Sequence, residues 1–128
     1  MTDTDSGKTL FRPGSLSYIQ IPAADPRVSA GFYERVFGWN IRGRETSHVG
    51  FDDATGDVSG AFITGREISR EPGVLPYVYV NAIDATIAKI TAHGGEVVRE
   101  PYPEGDLWVA TFRDPAGNVI GVWQLGPR

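Results

Sequence analysis

Hydrophobic and polar positions alternate along LSYIQI near the start of the chain, then give way to a wider spacing in DPRVSAGFYERVFGW. The first pattern has the period of a half-buried strand. The second has the apolar spacing of a helix, with Asp25 as N-cap, Pro26 at the first helical position and Val28, Phe32, Val36 and Phe37 as its buried stripe. WNIRGR, SHVGFDD and SGAFIT follow as three short strand segments divided by Gly, Asp and Thr, so the first half reads βαβββ. REISREPG is a charged connector ending in Pro72 and Gly73. LPYVYV then repeats the strand pattern, and DATIAKITAHGG repeats the helix and closes it at Gly94. EVVRE, LWVATFR and NVIGVWQ complete a second βαβββ.

The two halves match each other. Leu16, Tyr18 and Asp25 correspond to Leu75, Tyr77 and Asp84 at a constant spacing of 59 residues. Further on, VSGAF matches VIGVW at a spacing of 61, which pairs Gly60 with Gly121 and Phe62 with Trp123.

Composition narrows the possibilities. At 128 residues and 41% hydrophobic, the chain suits one domain with a proper core. Twelve basic against sixteen acidic side chains give a net charge of −4, without the basic footprint that binding a phosphate backbone requires. No nucleic-acid partner is expected. The absence of cysteine excludes a disulfide framework, a thiolate metal cluster and a cysteine nucleophile. No apolar run approaches the roughly 20 residues of a membrane helix. The reading is a soluble, cytoplasmic protein with no membrane partner: a mobile leader over residues 1–14, then a single domain over 15–128 with modules at about 15–65 and 74–125.

IQIPAADPRVSAGFYERVFGW near the start and DPAGNVIGVWQ at the end carry a resemblance to the vicinal oxygen chelate superfamily, which includes glyoxalase I, extradiol dioxygenases and bleomycin-resistance proteins. The similarity of organisation extends over nearly the whole chain after the leader. It implies an α+β fold of tandem βαβββ modules forming a curved mixed sheet around a cavity, and a homodimer. Enzymes of that family hold a divalent metal with His, Gln or Glu from the first and last strands of each module. By position, those sites fall here on Tyr18, near Gly60, on Tyr77 or Leu75, and on Gly121. No such position carries a His or a carboxylate, so the resemblance implies a member that has lost the metal and uses no cofactor.

Alternation then proposes what lines the cavity. Ile19 and Ile21 suit a helix-facing side and leave Tyr18 and Gln20 on the other; Val78 and Val80 likewise leave Tyr77 and Tyr79. Ile120 and Val122 leave Gly121 and Trp123, and Ala61 and Ile63 leave Gly60 and Phe62. The ligand-binding set is therefore Tyr18, Gln20, Gly60, Phe62, Tyr77, Tyr79, Gly121 and Trp123. The two glycines either open space for a ligand or mark a bulge or bend in the sheet. His48, in SHVGFDD near Asp52 and Asp53, is the one candidate general base, while His93 is accounted for by the end of the second helix. The pattern of LWVATFR leaves the direction of Trp108 open.

Three functions follow. The first is a metal-independent protein binding a planar or partly apolar small molecule among aromatic side chains. The second is a lyase, isomerase or dioxygenase-like enzyme with a displaced metal site or with His48 as general base. The third is a module that recognises another protein.

Overall fold

A computed structural model describes residues 12–128; most of the expected leader lies outside the described residues. The chain divides between Arg66 and Glu67 into two compact units, each a βαβββ module. In the first, β1 (Tyr18–Pro22) leads into α1 (Pro26–Phe37), followed by β2 (Asn40–Arg42), β3 (Gly50–Asp52) and β4 (Ser59–Ile63). Its sheet order is β1-β4-β3-β2: the last strand lies beside the first in parallel and beside β3 antiparallel. The second module repeats this with β5 (Tyr77–Tyr79), α2 (Ile83–Ala92), β6 (Glu96–Glu104), β7 (Leu107–Arg113) and β8 (Val119–Leu125), in the order β5-β8-β7-β6. These are the two mixed sheets of an α+β fold.

Helix α1 begins and ends as its sequence dictates. The Asp25 carboxylate accepts from the Arg27 N–H at 3.1 Å, and Gly38 closes the helix in the left-handed region, at φ 73°, donating to Glu34 O. Its buried face is Ser29, Ala30, Phe32, Tyr33 and Val36. Val28, expected in the stripe, is instead 54% exposed, and Tyr33 takes the central place with no exposure at all. Tyr33 stacks on Trp39 (4.5 Å between ring centroids) and on Phe62 (5.7 Å), and Phe51 joins Trp39 and Phe62 at 4.6 and 5.1 Å. This aromatic ladder is the core of the first module, each pair adding about 0.5–1.5 kcal/mol beyond the area it buries.

The second core is mainly aliphatic, with Phe112 as its buried ring. Ile83 and Ile90 of α2 are fully buried, as are Ala110, Phe112 and Val122 of the sheet beneath. Asp84, which matches the N-cap Asp25 in the repeat, does not cap this helix; it lies inside the first turn and pairs with Arg128 at 2.9 Å. The cap comes from across the module instead. The buried Gln124 of β8 accepts from the Ile83 N–H at 2.7 Å through its side-chain oxygen and donates to Pro127 O at 2.7 Å.

The DPAGN turn before β8 is a buried polar knot. Asp114 Oδ1 accepts from the N–H groups of Ala116, Gly117 and Asn118, each at 3.0 Å, and its other oxygen accepts from the Asn118 side-chain amide. Asn118 Oδ1 in turn accepts from the Ser69 N–H at 2.8 Å, tying the connector to the start of β8. Replacing Asp114 with alanine removes the carboxylate acceptor of the part-buried Ala116 N–H and of the buried Asn118 N–H and side-chain amide, while Gly117 N–H keeps the residue 114 carbonyl. Asp114→Ala is expected to lower unfolding stability by about 2–3 kcal/mol, read as a fall in the urea midpoint; a midpoint equal to wild type would show the knot to be dispensable.

Candidate functional site

Register decides which residues share a face, because paired residues on neighbouring strands project to the same side. In the second module Tyr77 pairs with Gly121 and Tyr79 with Trp123, while Val78 pairs with Val122 on the helix side. The expected face is therefore present here: Tyr77, Tyr79, Gly121 and Trp123 stand together, away from α2. Tyr79 meets Trp123 edge to face at 4.7 Å, and Tyr77 and Tyr79 remain 44% and 49% exposed.

In the first module the expected orientation is corrected. Tyr18 pairs with Ser59, Ile19 with Gly60, Gln20 with Ala61 and Ile21 with Phe62. Gly60 and Phe62 therefore share the helix-facing side with Ile19 and Ile21, and Phe62 is buried in the aromatic ladder. The open face carries Tyr18, Gln20, Ser59 and Ala61. Ser59, not Gly60, is thus the counterpart of Gly121, at a spacing of 62 rather than 61.

Neither glycine leaves an empty space, and neither marks a bulge, since the β3–β4 and β7–β8 ladders run through them without interruption. A side chain on Gly60 would collide with the Ile19 carbonyl oxygen and the Phe51 ring, and one on Gly121 with the Tyr77 ring. Each glycine lies under an aromatic side chain from a neighbouring strand, so the ring covers the surface that a missing Cβ leaves bare.

The open faces of the two modules differ in chemistry. On the first, Arg42 donates to Ser59 Oγ at 2.8 Å, to Phe51 O at 3.2 Å and to both Asp52 carboxylate oxygens, while Arg66 donates to Gln20 at 2.7 Å. This polar set is satisfied within itself. On the second, the aromatic group continues onto β6, where the Arg99 guanidinium lies 3.5 Å from the centre of the Tyr102 ring. Register shifts in β6 on both sides of Arg99 set its direction. Tyr102 pairs with Val109, which pairs with Trp123, and Arg99 pairs with Thr111, which pairs with Gly121. Burial pushes the Tyr77 phenol above its ordinary value, helped by Tyr102 and Glu104, with Arg99 acting in the opposite sense.

A divalent metal does not fit these positions. Burial disfavours the phenolate form of Tyr77 that a cation would bind, Gly121 has no side-chain ligand atom, and Ser59 Oγ accepts from a guanidinium that would repel a cation. Among the described residues no three His, Cys, Asp or Glu side chains come together as a metal site. His48 lies in the loop before β3 rather than on the strand; it is exposed, and its backbone N–H donates to Thr46 Oγ1. His93 caps α2 through its backbone. Trp108 pairs with Gln124, on the side of β7 opposite to Val109, and receives Arg128 over its ring at 4.8 Å. Arg99, Tyr102 and Glu104 were not expected from the sequence. Their signal was EVVREPYPE, whose two prolines interrupt alternation and are tolerated because β6 is a sheet edge.

Two βαβββ modules, each with its first and last strands paired in parallel, define a glyoxalase-like architecture, and the second displays an aromatic open face. The chain belongs to the Glyoxalase/Bleomycin resistance protein/Dioxygenase superfamily, whose model matches residues 15–122. It is 26% identical over 132 residues to the CFP32 proteins of Mycobacterium bovis and Mycobacterium tuberculosis, and spans about half (47%) of their length. It is 28% identical over 119 residues to a glyoxylase-like domain-containing protein of Didymella fabae, covering 85% of this chain and 92% of that one. Among solved structures it shares its fold with TnmS3, an antibiotic binding protein from Streptomyces sp. CB03234, at a TM-score of 0.68 and 22% identity over 91% of this chain and 99% of the other. A glyoxalase/bleomycin resistance protein/dioxygenase family enzyme from Burkholderia phytofirmans PsJN gives 0.72 and 22% over 88% and 99%. No helix among the described residues is long and apolar enough to cross a membrane.

The surroundings of the two glycines separate their roles. Gly60→Ala forces a methyl group against backbone and is expected to cost about 2–3 kcal/mol, whereas Gly121→Ala displaces only a half-exposed ring and is expected to cost under about 1 kcal/mol. Chemical denaturation of both variants checks this, and equal losses would contradict it.

Proposed function

We propose that this protein binds a planar, partly apolar small molecule on the aromatic face of its second module, with no metal. The observation that carries the reading is the grouping of Tyr77, Tyr79 and Trp123 over Gly121, all half-buried or exposed rather than sunk in the core. Exposed aromatics held by strand pairing and by one another are pre-ordered, so a ligand that stacks on them orders little that was mobile. Tyr18 and Gln20 remain candidates on the open face of the first module taken by itself. Gly60 and Phe62 are left out because they belong to the core. The antibiotic-binding description of TnmS3 supports the same general use of the fold.

A homodimer in the cytoplasm is the working form that accompanies this reading. Strands β1, β2, β5 and β6 are edges of their four-stranded sheets, and edges are commonly covered by a partner.

Titration of the full chain with 2-naphthamide and 2-naphthoate, followed by tryptophan fluorescence and calorimetry, tests the reading. Saturable binding is expected, weakened at least about fivefold by Trp123→Leu and by Tyr79→Ala, with melting temperatures kept near wild type. Binding unchanged in both variants, or absent from the wild type, would remove the aromatic face as the site. Sedimentation of the same samples at micromolar concentration is expected to show a dimer.

A further inference from the structure

We infer that the ligand carries an anionic group, a carboxylate or an ionised acidic hydroxyl, and that Arg99 is the residue that selects it. This rests on the aromatic-face reading above and adds the chemical class of what binds there.

Two other arginine side chains of this module have carboxylates of their own. In the second module Arg113 lies 3.9 Å from Glu96 and Arg128 2.9 Å from Asp84. On the open face of the first, Arg42 is consumed by Asp52, Ser59 and Phe51 O. Arg99 differs. Among the described residues it has no carboxylate at ion-pair distance and gives none of its five N–H groups to a protein acceptor. Its contact is with a ring, the face of Tyr102 at 3.5 Å. Such stacking fixes a guanidinium in place without neutralising it or using up its donors.

Placement turns this free cation into a selector. Arg99 stands in one cross-strand row with Thr111, Gly121 and Tyr77, and Tyr102 in the next with Val109, Trp123 and Tyr79. A flat molecule lying on Tyr77 and Trp123 therefore has its β6-side edge directed at the guanidinium, where two oxygens of one carboxylate match two parallel N–H donors. Thr111 supplies a neutral hydroxyl in the same row. The carboxylate of Glu104 is on the same strand and opposes an anion, so it limits the preference that Arg99 creates.

The test uses the two naphthalene probes, which share shape and stacking surface but differ in charge. Wild type is expected to bind 2-naphthoate about tenfold or more tighter than 2-naphthamide. Arg99→Gln is expected to abolish that preference while leaving 2-naphthamide binding within about twofold. Arg99→Lys is expected to keep part of it, and Glu104→Gln to widen it. Raising ionic strength should shrink the preference in the wild type alone, a reading that needs no variant to fold. If 2-naphthamide binds and the wild type does not favour 2-naphthoate, or if Arg99→Gln keeps the full preference, the inference fails and the aromatic site stands. If neither probe binds, both fail together.

Discussion

Everything on the surface of these modules follows from the pairing of the first strand with the last. β1 and β5 each return to lie in parallel against the final strand of their module, and that strand is held on its other side by an antiparallel neighbour. Side chains on a strand alternate with a period of two, so the register of this one pair assigns every residue of the central strand to core or open face. In each case the register is accompanied by a glycine lying under an aromatic ring: Gly60 beneath Phe51 and Gly121 beneath Tyr77. The two glycines are not equivalent. Gly60 faces the helix and allows the aromatic ladder to close, whereas Gly121 faces outward and lets Tyr77 lie flat on the sheet.

That difference gives two modules of one topology opposite chemistry. The first puts Tyr33, Trp39, Phe51 and Phe62 inside, where they stack, and leaves outside the single ring of Tyr18 with a set of guanidinium, carboxylate, hydroxyl and amide groups that satisfy one another. The second fills its interior with Ile83, Ile90, Val122 and Phe112 and displays Tyr77, Tyr79 and Trp123 outside. A closed polar network offers little to a ligand, because each new bond must displace an existing one. Exposed rings lose only water, which is why the aromatic face is the stronger candidate for recognition.

Much of the architecture was legible in the chain, and the misreadings have specific causes. Asp25 and Pro26 start α1 because caps are local chemistry, and LWVATFR is a strand from end to end because its apolar, β-rich composition suits one even where alternation lapses. VSGAF against VIGVW misled by one residue. The match aligned two glycines with different partners, and strand register is set by neighbours distant in sequence rather than by the five residues themselves. Asp84 resembled a cap because Asp25 is one, but the Ile83 N–H finds its acceptor 41 residues away in Gln124. Val28 and Tyr33 exchanged roles for a comparable reason: the helical period allows either edge of the stripe to be buried, and only the sheet beneath selects between them. Arg99 was hidden by irregularity, since a strand broken by Pro101 and Pro103 presents no alternation to read.

The same irregularity explains how a charge without a counter-charge persists there. A regular central strand would carry Arg99 in a full ladder, between neighbours on both sides. On the edge strand β6, with register shifts before and after it, the side chain reaches the Tyr102 ring instead and remains exposed to water. Water meets the cost of solvating the guanidinium, and the ring supplies an orientation worth about 0.5–1 kcal/mol at an exposed site. A carboxylate partner would have fixed the same side chain more firmly, but at the expense of its donors. Holding a cation by its face rather than by its hydrogen bonds keeps it both ordered and available, and the two prolines and the bulged edge are the local means by which this sequence achieves that state.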